Sequence, residues 1–360
     1  MVKTLDRYIF FELVPPFFLG IIGFILIMIT DLLFTYTDLI INKGVPLLVV
    51  LRLLIFKLPA IMVLTFPVSM VFATSMAFTR MSKESEMIAL RTSGISLFRI
   101  SAPVILISLM VSVMSYFTNE YLVPWSNHTS ENIIRQMILR QPLPEIKENV
   151  FFRDSSNRYF YVKKVDQRTN VLEDIMIYEV GQGRFPRVII AKSAKYDGSN
   201  WVLSDGVIHR YDDATGALDY EANFSEMQLL VNENITNFTD QKTTYEMHSK
   251  ELSKLVSLLK RGGVDAKALL TDLYMKISVP VTCFIFALLA IPFSLPAARS
   301  GRAFGFVFCV ALIFTFYVVA SVFRSFGHGG LVHPFVAAWL PNVFFGVLGG
   351  LLLIRDNYYV

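Results

Sequence analysis

Six long apolar segments constrain the fold of this chain more than any other sequence feature. An α-helix rises about 1.5 Å per residue, so about 20 apolar residues (range about 17–25) cross a hydrocarbon core about 30 Å thick. Only 17% of the residues are charged, against roughly 25% in soluble domains. The chain is therefore predicted to be an α-helical membrane protein with six transmembrane helices. These segments lie at about 13–33, 46–78, 100–117, 277–296, 303–323 and 334–354.

The distribution of Lys and Arg predicts which helix ends face the cytoplasm, because basic residues concentrate in the cytoplasmic loops of membrane proteins. With the N-terminus inside, the turn at 326–333, which contains no Lys or Arg, lies outside, and so does the segment at about 119–276. The cytoplasmic segments then contain Lys3, Arg7, Arg80, Lys83, Arg91, Arg99, Arg299, Arg302 and Arg355. We therefore predict three helices, one extracytoplasmic domain and three further helices, with both termini in the cytoplasm.

The segment from about 150 to 231 is predicted to be a β domain. Its runs "RYFYVKKV", "RVIIAKSAKYD" and "NWVLSDGVIHRYD" are rich in β-branched and aromatic residues, and turn-forming stretches such as "DSSN", "GQG" and "DDATG" separate the runs. This spacing is typical of an antiparallel sandwich or jelly roll. We expect the third helix to continue past residue 119. The predicted domains are 1–118 (transmembrane helices 1–3), 119–262 (an extracytoplasmic all-β, jelly-roll-like domain with flanking helices) and 263–360 (transmembrane helices 4–6).

The polar stretch "SKESEMIALRTSG" lies between the second and third apolar segments and is predicted to form a short cytoplasmic helix at about 82–94. Ser82 suits the N-cap, Glu84 and Glu86 suit the first turn, and Gly94 suits a left-handed C-terminal position. Such a helix can lie on the lipid surface, connect two spans, or dock into another protein. The two acids disfavour an anionic lipid surface, and the pattern leaves the other two alternatives open.

Several motifs together resemble the lipopolysaccharide-export permeases of the LptF/LptG family. They are "LDRYIFFEL", "ESEMIALRTSG", "NWVLSDG" and "SKLVSLLKRGGVDAKALLTDLYMKISVPV", and with the three-domain-three plan they cover essentially the whole chain. The resemblance implies a permease subunit of an ABC transporter in the bacterial inner membrane. Its implied partners are a cytoplasmic LptB-like ATPase dimer, a second permease subunit or a second copy of this chain, LptC- and LptA-like periplasmic proteins, and lipopolysaccharide.

The same resemblance assigns a role to the short polar helix. It implies a coupling helix that enters a groove on the ATPase. Glu86 matches the family's Ser-Glu pair and is the residue expected to carry the coupling, with Glu84, Arg91 and Gly94 in support. Lipid would enter sideways between the first and fifth spans.

Several spans place a cation near their predicted outer ends. This outer cation set contains candidates for binding lipid phosphates, since Arg and Lys bind phosphate by charge and hydrogen bonds. The alternative is that each cation anchors a helix end by extending to the interface. Asp31 and Asp38 lie near the same depth, where family members often carry Lys, so the first span departs from the family pattern. The outer cation set is Lys43, Arg52, Lys57, Lys276 and Arg324.

Catalytic motifs are absent from the sequence. It contains no Walker A, His-Glu-x-x-His or Gly-x-Ser-x-Gly pattern, so we predict no catalytic residue, cofactor or metal, and ATP is expected to bind the partner ATPase. The net charge of +4 is not that of a nucleic-acid-binding protein. Besides lipid export, two functions remain open. One is a mechanotransmission-type ABC subunit that moves no lipid; the other is a membrane enzyme acting on a lipid precursor, which would need a clustered acid, base or metal set.

Overall fold

A computed structural model describes the chain in two compact units, Met1–Asn127 with Ala266–Val360, and His128–Asp265. The first unit contains the long apolar helices, and the second contains a β-sheet with short helices. The described residues are 2–41, 45–138, 150–153, 158–166, 171–179, 187–196, 200–212, 218–230, 244–261, 265–300 and 302–358.

Six helices in the described part of the chain are long and apolar enough to cross a membrane, which confirms the predicted six transmembrane helices. The candidate spans are Thr4–Thr37, Leu47–Lys83, Leu97–Ile134, Lys267–Leu295, Val310–His328 and Pro334–Asn357. The helices are α1 (Val2–Ile41), α2 (Leu47–Lys83), α3 (Glu86–Thr92), α4 (Leu97–Phe117), α5 (Val123–Ile138), α6 (Ser249–Arg261), α7 (Lys267–Ser300), α8 (Arg302–His328) and α9 (Pro334–Tyr358).

A π-helical turn at Thr118–Leu122 joins α4 to α5, so the third span continues as predicted. Pro124 has no backbone N–H, so it cannot donate to the carbonyl four residues earlier. The N–H of Val123 instead reaches the carbonyl of Thr118, five residues back, which widens the helix locally. The proline therefore changes the winding at this point without ending the helix.

Helix α7 lies at the centre of the helical unit. In α7, 67% of the most apolar 18-residue window is buried, compared with 17% in α1 and 11% in α8. Its buried side chains include Cys283 and Ile291, which share one apolar cluster with α1, α2 and α4, and Phe286, which packs with Phe316 of α8 and Phe345 of α9. Helix α1, and α8 from Val310 to His328, therefore turn most of their apolar surface away from the rest of the chain.

The described residues of the β domain form six antiparallel strands in the order β1-β2-β3-β4-β5-β6. The predicted inserted all-β domain is confirmed. Every described strand pairs with its neighbour in sequence, as in a meander, whereas a jelly roll contains Greek-key connections. One apolar cluster, which includes Phe160, Ile177, Ile189 and Trp201, forms its core. The strands are β1 (Val150–Arg153), β2 (Arg158–Asp166), β3 (Val171–Glu179), β4 (Arg187–Tyr196), β5 (Asn200–Tyr211) and β6 (Leu218–Leu230).

Two aspartates interrupt the alternation of side chains in this sheet. In β3, Leu172 and Ile175 are both buried in the core cluster although they are three residues apart, a spacing that places side chains on opposite faces of a regular strand. Asp174 between them has a φ of 52°, and Asp205 of β5 has a φ of 50°. A left-handed residue reverses the alternation of side chains between the two faces of a strand. Leu172 and Ile175 therefore lie on the same face, and the apolar face continues past Asp174. Aspartate is one of the few non-glycine residues that tolerate this conformation.

Candidate coupling site and outer cation set

The short polar helix is shorter and begins later than the sequence predicts. Helix α2 continues through Ser82 to Lys83 and is capped by Glu84, so Ser82 is not the N-cap of the short helix and Glu84 is not in its first turn. Ser85 takes that N-cap position with a φ of 62°, and α3 has seven residues, or about 10 Å of helix. Gly94 follows with a φ of 83°, as the sequence predicts.

One apolar side chain of α3 packs into the helical unit, and another is exposed on the surface of α3. Met87 is only 4% exposed and belongs to the apolar cluster of the helical unit, whereas Ile88 is 61% exposed. Thr92, which lies four residues after Ile88 and therefore on the same side of the helix, is also exposed, and so is Ala89. The outer face of α3 is therefore a small surface with one large apolar side chain.

Glu86, the predicted coupling residue, makes its described contacts within the chain. The hydroxyl of Tyr8 in α1 donates to Oε2 of Glu86 at 2.5 Å, and Nη2 of Arg80 donates to the Tyr8 hydroxyl at 2.8 Å. Arg80 also forms an ion pair with Glu12, with Nε and Oε1 2.8 Å apart, and lies 3.9 Å from Glu84. We call these five residues the Arg80 cluster. Three carboxylates around one guanidinium give it a net charge of about −2 when all are ionised.

The end of α3 is held by α9. Nη2 of Arg91 donates to the main-chain carbonyl of Asp356 at 3.1 Å, and the N–H of Leu97 donates to Oδ1 of Asn357 at 3.1 Å. The start of α3 contacts α1 through Tyr8 and α2 through Arg80. Helix α3 is therefore tied by side chains to helices from both halves of the sequence.

The outer cation set is only partly described. Lys43 lies outside the described residues, Arg52 is exposed on α2, and Lys57 and Lys276 are half-buried. Arg52 and Lys57 are far from α3: Lys57 precedes the end of α2 by 26 positions, or about 39 Å of helix.

The backbone around Lys276 is supported by a side chain. Pro280 has no N–H, so the carbonyl of Lys276, four residues earlier, has no helical donor. Nδ2 of Asn119, in the π-helical turn, donates to this oxygen at 3.0 Å. The start of α7 is thereby fixed to the π-helical turn that follows α4.

Arg324, the last member of the outer cation set, is paired with an acid that sequence reasoning missed. Its Nη2 lies 2.9 Å from Oδ1 of Asp272 in α7, and Nε2 of His328 lies 3.0 Å from the same oxygen. Asp272 is one turn before Lys276, and an isolated acid at the depth of several cations was a signal that could have identified it. In this conformation the Asp272 carboxylate compensates the charge of Arg324.

The described part of the chain offers no cluster for a metal. No group of three or more His, Cys, Asp or Glu side chains in these ranges is placed to hold an ion. The acids of the Arg80 cluster and Asp272 are instead engaged in ion pairs.

Six spans, a β domain inserted between the third and the fourth, and a short exposed helix between the second and the third define a polytopic membrane protein with the layout of a transporter subunit. The family described as "Lipopolysaccharide export system permease LptF/LptG" matches residues 7–355. The chain therefore belongs to the LptF/LptG family of lipopolysaccharide export permeases.

Individual relatives are distant. LptF of Escherichia coli K12 is 20% identical over 332 residues, which cover 88% of this chain and 85% of that protein. LptG of the same strain is 22% identical over 308 residues, covering 81% of each chain. LptG of Haemophilus influenzae is 23% identical over 304 residues, covering 81% and 82%. Family membership supports a role in lipopolysaccharide export, within a complex of Lpt components, for a multi-pass inner-membrane protein.

Proposed function

We propose that this chain is the permease subunit of an ABC transporter that extracts lipopolysaccharide from the inner membrane and passes it to a periplasmic bridge toward the outer membrane. In this proposal both termini and α3 are cytoplasmic, and the β domain is periplasmic. The ATP is bound and hydrolysed by a separate LptB-like ATPase dimer, and this chain has no catalytic residue or cofactor. The other partners are a second permease subunit or a second copy, and LptC- and LptA-like proteins.

The observation that carries the proposal is the construction of α3. The helix exposes Ile88 and is anchored by Met87, by the Arg80 cluster and by α9. A plain connector between two spans needs neither an exposed large apolar residue nor ties to three other helices. A helix that docks on a second protein needs both, because it must bury an apolar anchor in that protein and pass displacement to the spans.

The proposed binding of lipid rests on two features, the exposed apolar surface of two helices and the charge of the outer cation set. Helices α1 and α8, the first and fifth spans, turn most of their apolar surface outward. That surface can line the entry for acyl chains at an interface with the second permease subunit. Arg52 and Lys57, at the end of α2 far from α3, are cations of the kind that bind phosphate by charge and hydrogen bonds.

Site-specific photo-crosslinking tests whether this chain contacts lipopolysaccharide. A photo-reactive residue is placed at Arg52, an exposed member of the outer cation set, or at Ile88, an exposed control at the α3 end of the bundle. We expect lipopolysaccharide to crosslink at position 52 and not at position 88. An ATPase-bound complex that crosslinks no lipopolysaccharide at position 52 would favour mechanotransmission over export.

A further inference from the structure

We propose that Tyr8 is a positioning residue that connects the coupling helix to the first transmembrane helix through Glu86. The inference rests on the proposed function, in which α3 is displaced by an ATPase. It assigns a role to a residue of α1 that lies 78 positions from Glu86 in the sequence.

The geometry gives the Tyr8 hydroxyl a defined direction. The hydroxyl is 2.8 Å from Nη2 of Arg80 and 2.5 Å from Oε2 of Glu86. A guanidinium only donates hydrogen bonds and an ionised carboxylate only accepts them. The phenol therefore accepts from Arg80 and donates to Glu86, and its single proton points to the first residue of α3.

The proposed role of Tyr8 depends on its hydroxyl and not on the packing of its ring. The residue is 37% exposed, whereas its neighbour Ile9 is fully buried in the apolar cluster and holds α1 in place there. Removal of the hydroxyl should therefore leave the packing of α1 intact. The specific loss is the bond between α1 and the start of α3.

The same contacts revise the expected role of Glu86. Its carboxylate accepts from Tyr8 and lies 4.0 Å from Arg80, so it is already engaged within the chain. The surface that remains for the ATPase is the exposed side of α3 at Ile88, with Glu84 at its edge. We infer that Ile88 faces the ATPase, while Glu86 passes the displacement of α3 to Tyr8 and thus to α1, one of the two spans that expose most apolar surface.

The first test measures the link in the isolated chain, without any ATPase. Amide hydrogen exchange of Glu86–Thr92 is compared in the native chain, Tyr8→Phe and a control, Tyr116→Phe, which removes the same atom from α4. A charge-assisted hydrogen bond corresponds to about 10- to 100-fold in an equilibrium between joined and separated groups. We expect exchange in α3 to become about tenfold faster in Tyr8→Phe and to be unchanged in Tyr116→Phe. Equal exchange in all three chains would overturn the link.

The second test measures transmission in the complete complex. We expect Tyr8→Phe to retain the ATPase through purification and to hydrolyse ATP, while lipopolysaccharide release per ATP falls about tenfold. Glu86→Gln should reduce release less than Tyr8→Phe does, because the amide oxygen still accepts from Tyr8 although the charge is lost. Combined with Tyr8→Phe it should add little further loss. Native release by Tyr8→Phe would overturn the inference, and so would loss of the ATPase, since that would place Tyr8 in docking. A native chain that binds no ATPase would instead overturn the proposed function.

Discussion

Substitution of Asp272 by Asn should lower stability and raise affinity for phosphate at the same time. The Asp272 carboxylate is 16% exposed and pairs with Arg324, which is 35% exposed, and with His328. Exposed ion pairs contribute about 0.2–1 kcal/mol, and removal of one member of a buried pair costs about 3–5 kcal/mol. The half-buried pair falls between these limits, so we expect Asp272→Asn to lower the free energy of unfolding by about 1–2 kcal/mol.

Affinity for phosphate should rise while stability falls, because Asp272→Asn removes the counter-charge that Asp272 provides to Arg324. Asn keeps one acceptor oxygen but carries no charge, so it competes less than Asp272 does with an anionic head group for the guanidinium. A charge-assisted hydrogen bond from Arg324 to a phosphate contributes about 1.5–3 kcal/mol. Part of this free energy only compensates the loss of the ion pair with Asp272. We expect lipopolysaccharide to bind about tenfold more tightly, which corresponds to about 1.4 kcal/mol.

Both effects can be measured on the purified chain in detergent, by thermal unfolding and by titration with fluorescent lipopolysaccharide. Asp174→Asn is the matched control: its pair with Lys163 is more than half exposed on both sides, and Asn tolerates its left-handed backbone. The control should change stability by less than about 0.5 kcal/mol and affinity not at all. If Asp272→Asn weakened lipopolysaccharide binding, Asp272 would not be masking Arg324 and the reasoning would be refuted.

Two further predictions concern packing. Met87→Ala should remove the apolar anchor of α3 and cost about 2–3 kcal/mol of local stability, since Met87 is 4% exposed and buried Met→Ala changes cost about 2–5 kcal/mol. Amide hydrogen exchange should become faster in Glu86–Thr92 and stay unchanged in the β domain. Unchanged exchange in α3 would contradict the role of Met87 as an anchor. Gly206→Ala should destabilise the β domain by about 1–3 kcal/mol, because an added Cβ would lie 2.5 Å from the carbonyl oxygen of Ile190 and overlap the ring of Phe224; limited proteolysis should report it, and native resistance would count against this packing.

The transmembrane part of the fold could be predicted from the sequence because its cause is local. About 20 consecutive apolar residues are sufficient to define a span, and the β-branched runs of the insert define strands. The bounds of α3 were less predictable. Ser82, Glu84 and Glu86 match a helix start by type, but α2 continues past Ser82, and the chain reverses at Ser85 in a left-handed conformation that a serine rarely adopts.

The candidate site was predicted only in part because its contacts join distant segments. Glu86 was selected from its motif, but its engagement by Tyr8 depends on how α1 packs beside α2. Arg324 was selected from its depth, but its pairing with Asp272 depends on the packing of α7 against α8. A sequence pattern places charges along helices and does not show which of them face each other.

The central claim, that α3 docks on an ATPase through Ile88, is tested most directly by co-purification with the candidate ATPase. The chains compared are the native protein, Ile88→Glu, and Leu331→Glu, which introduces the same charge at a 78% exposed leucine in the turn between α8 and α9. We expect the ATPase to be retained by the native chain and Leu331→Glu and lost by Ile88→Glu, with all three chains equally stable. Retention of the ATPase by Ile88→Glu, or its absence from the native chain, would contradict the account.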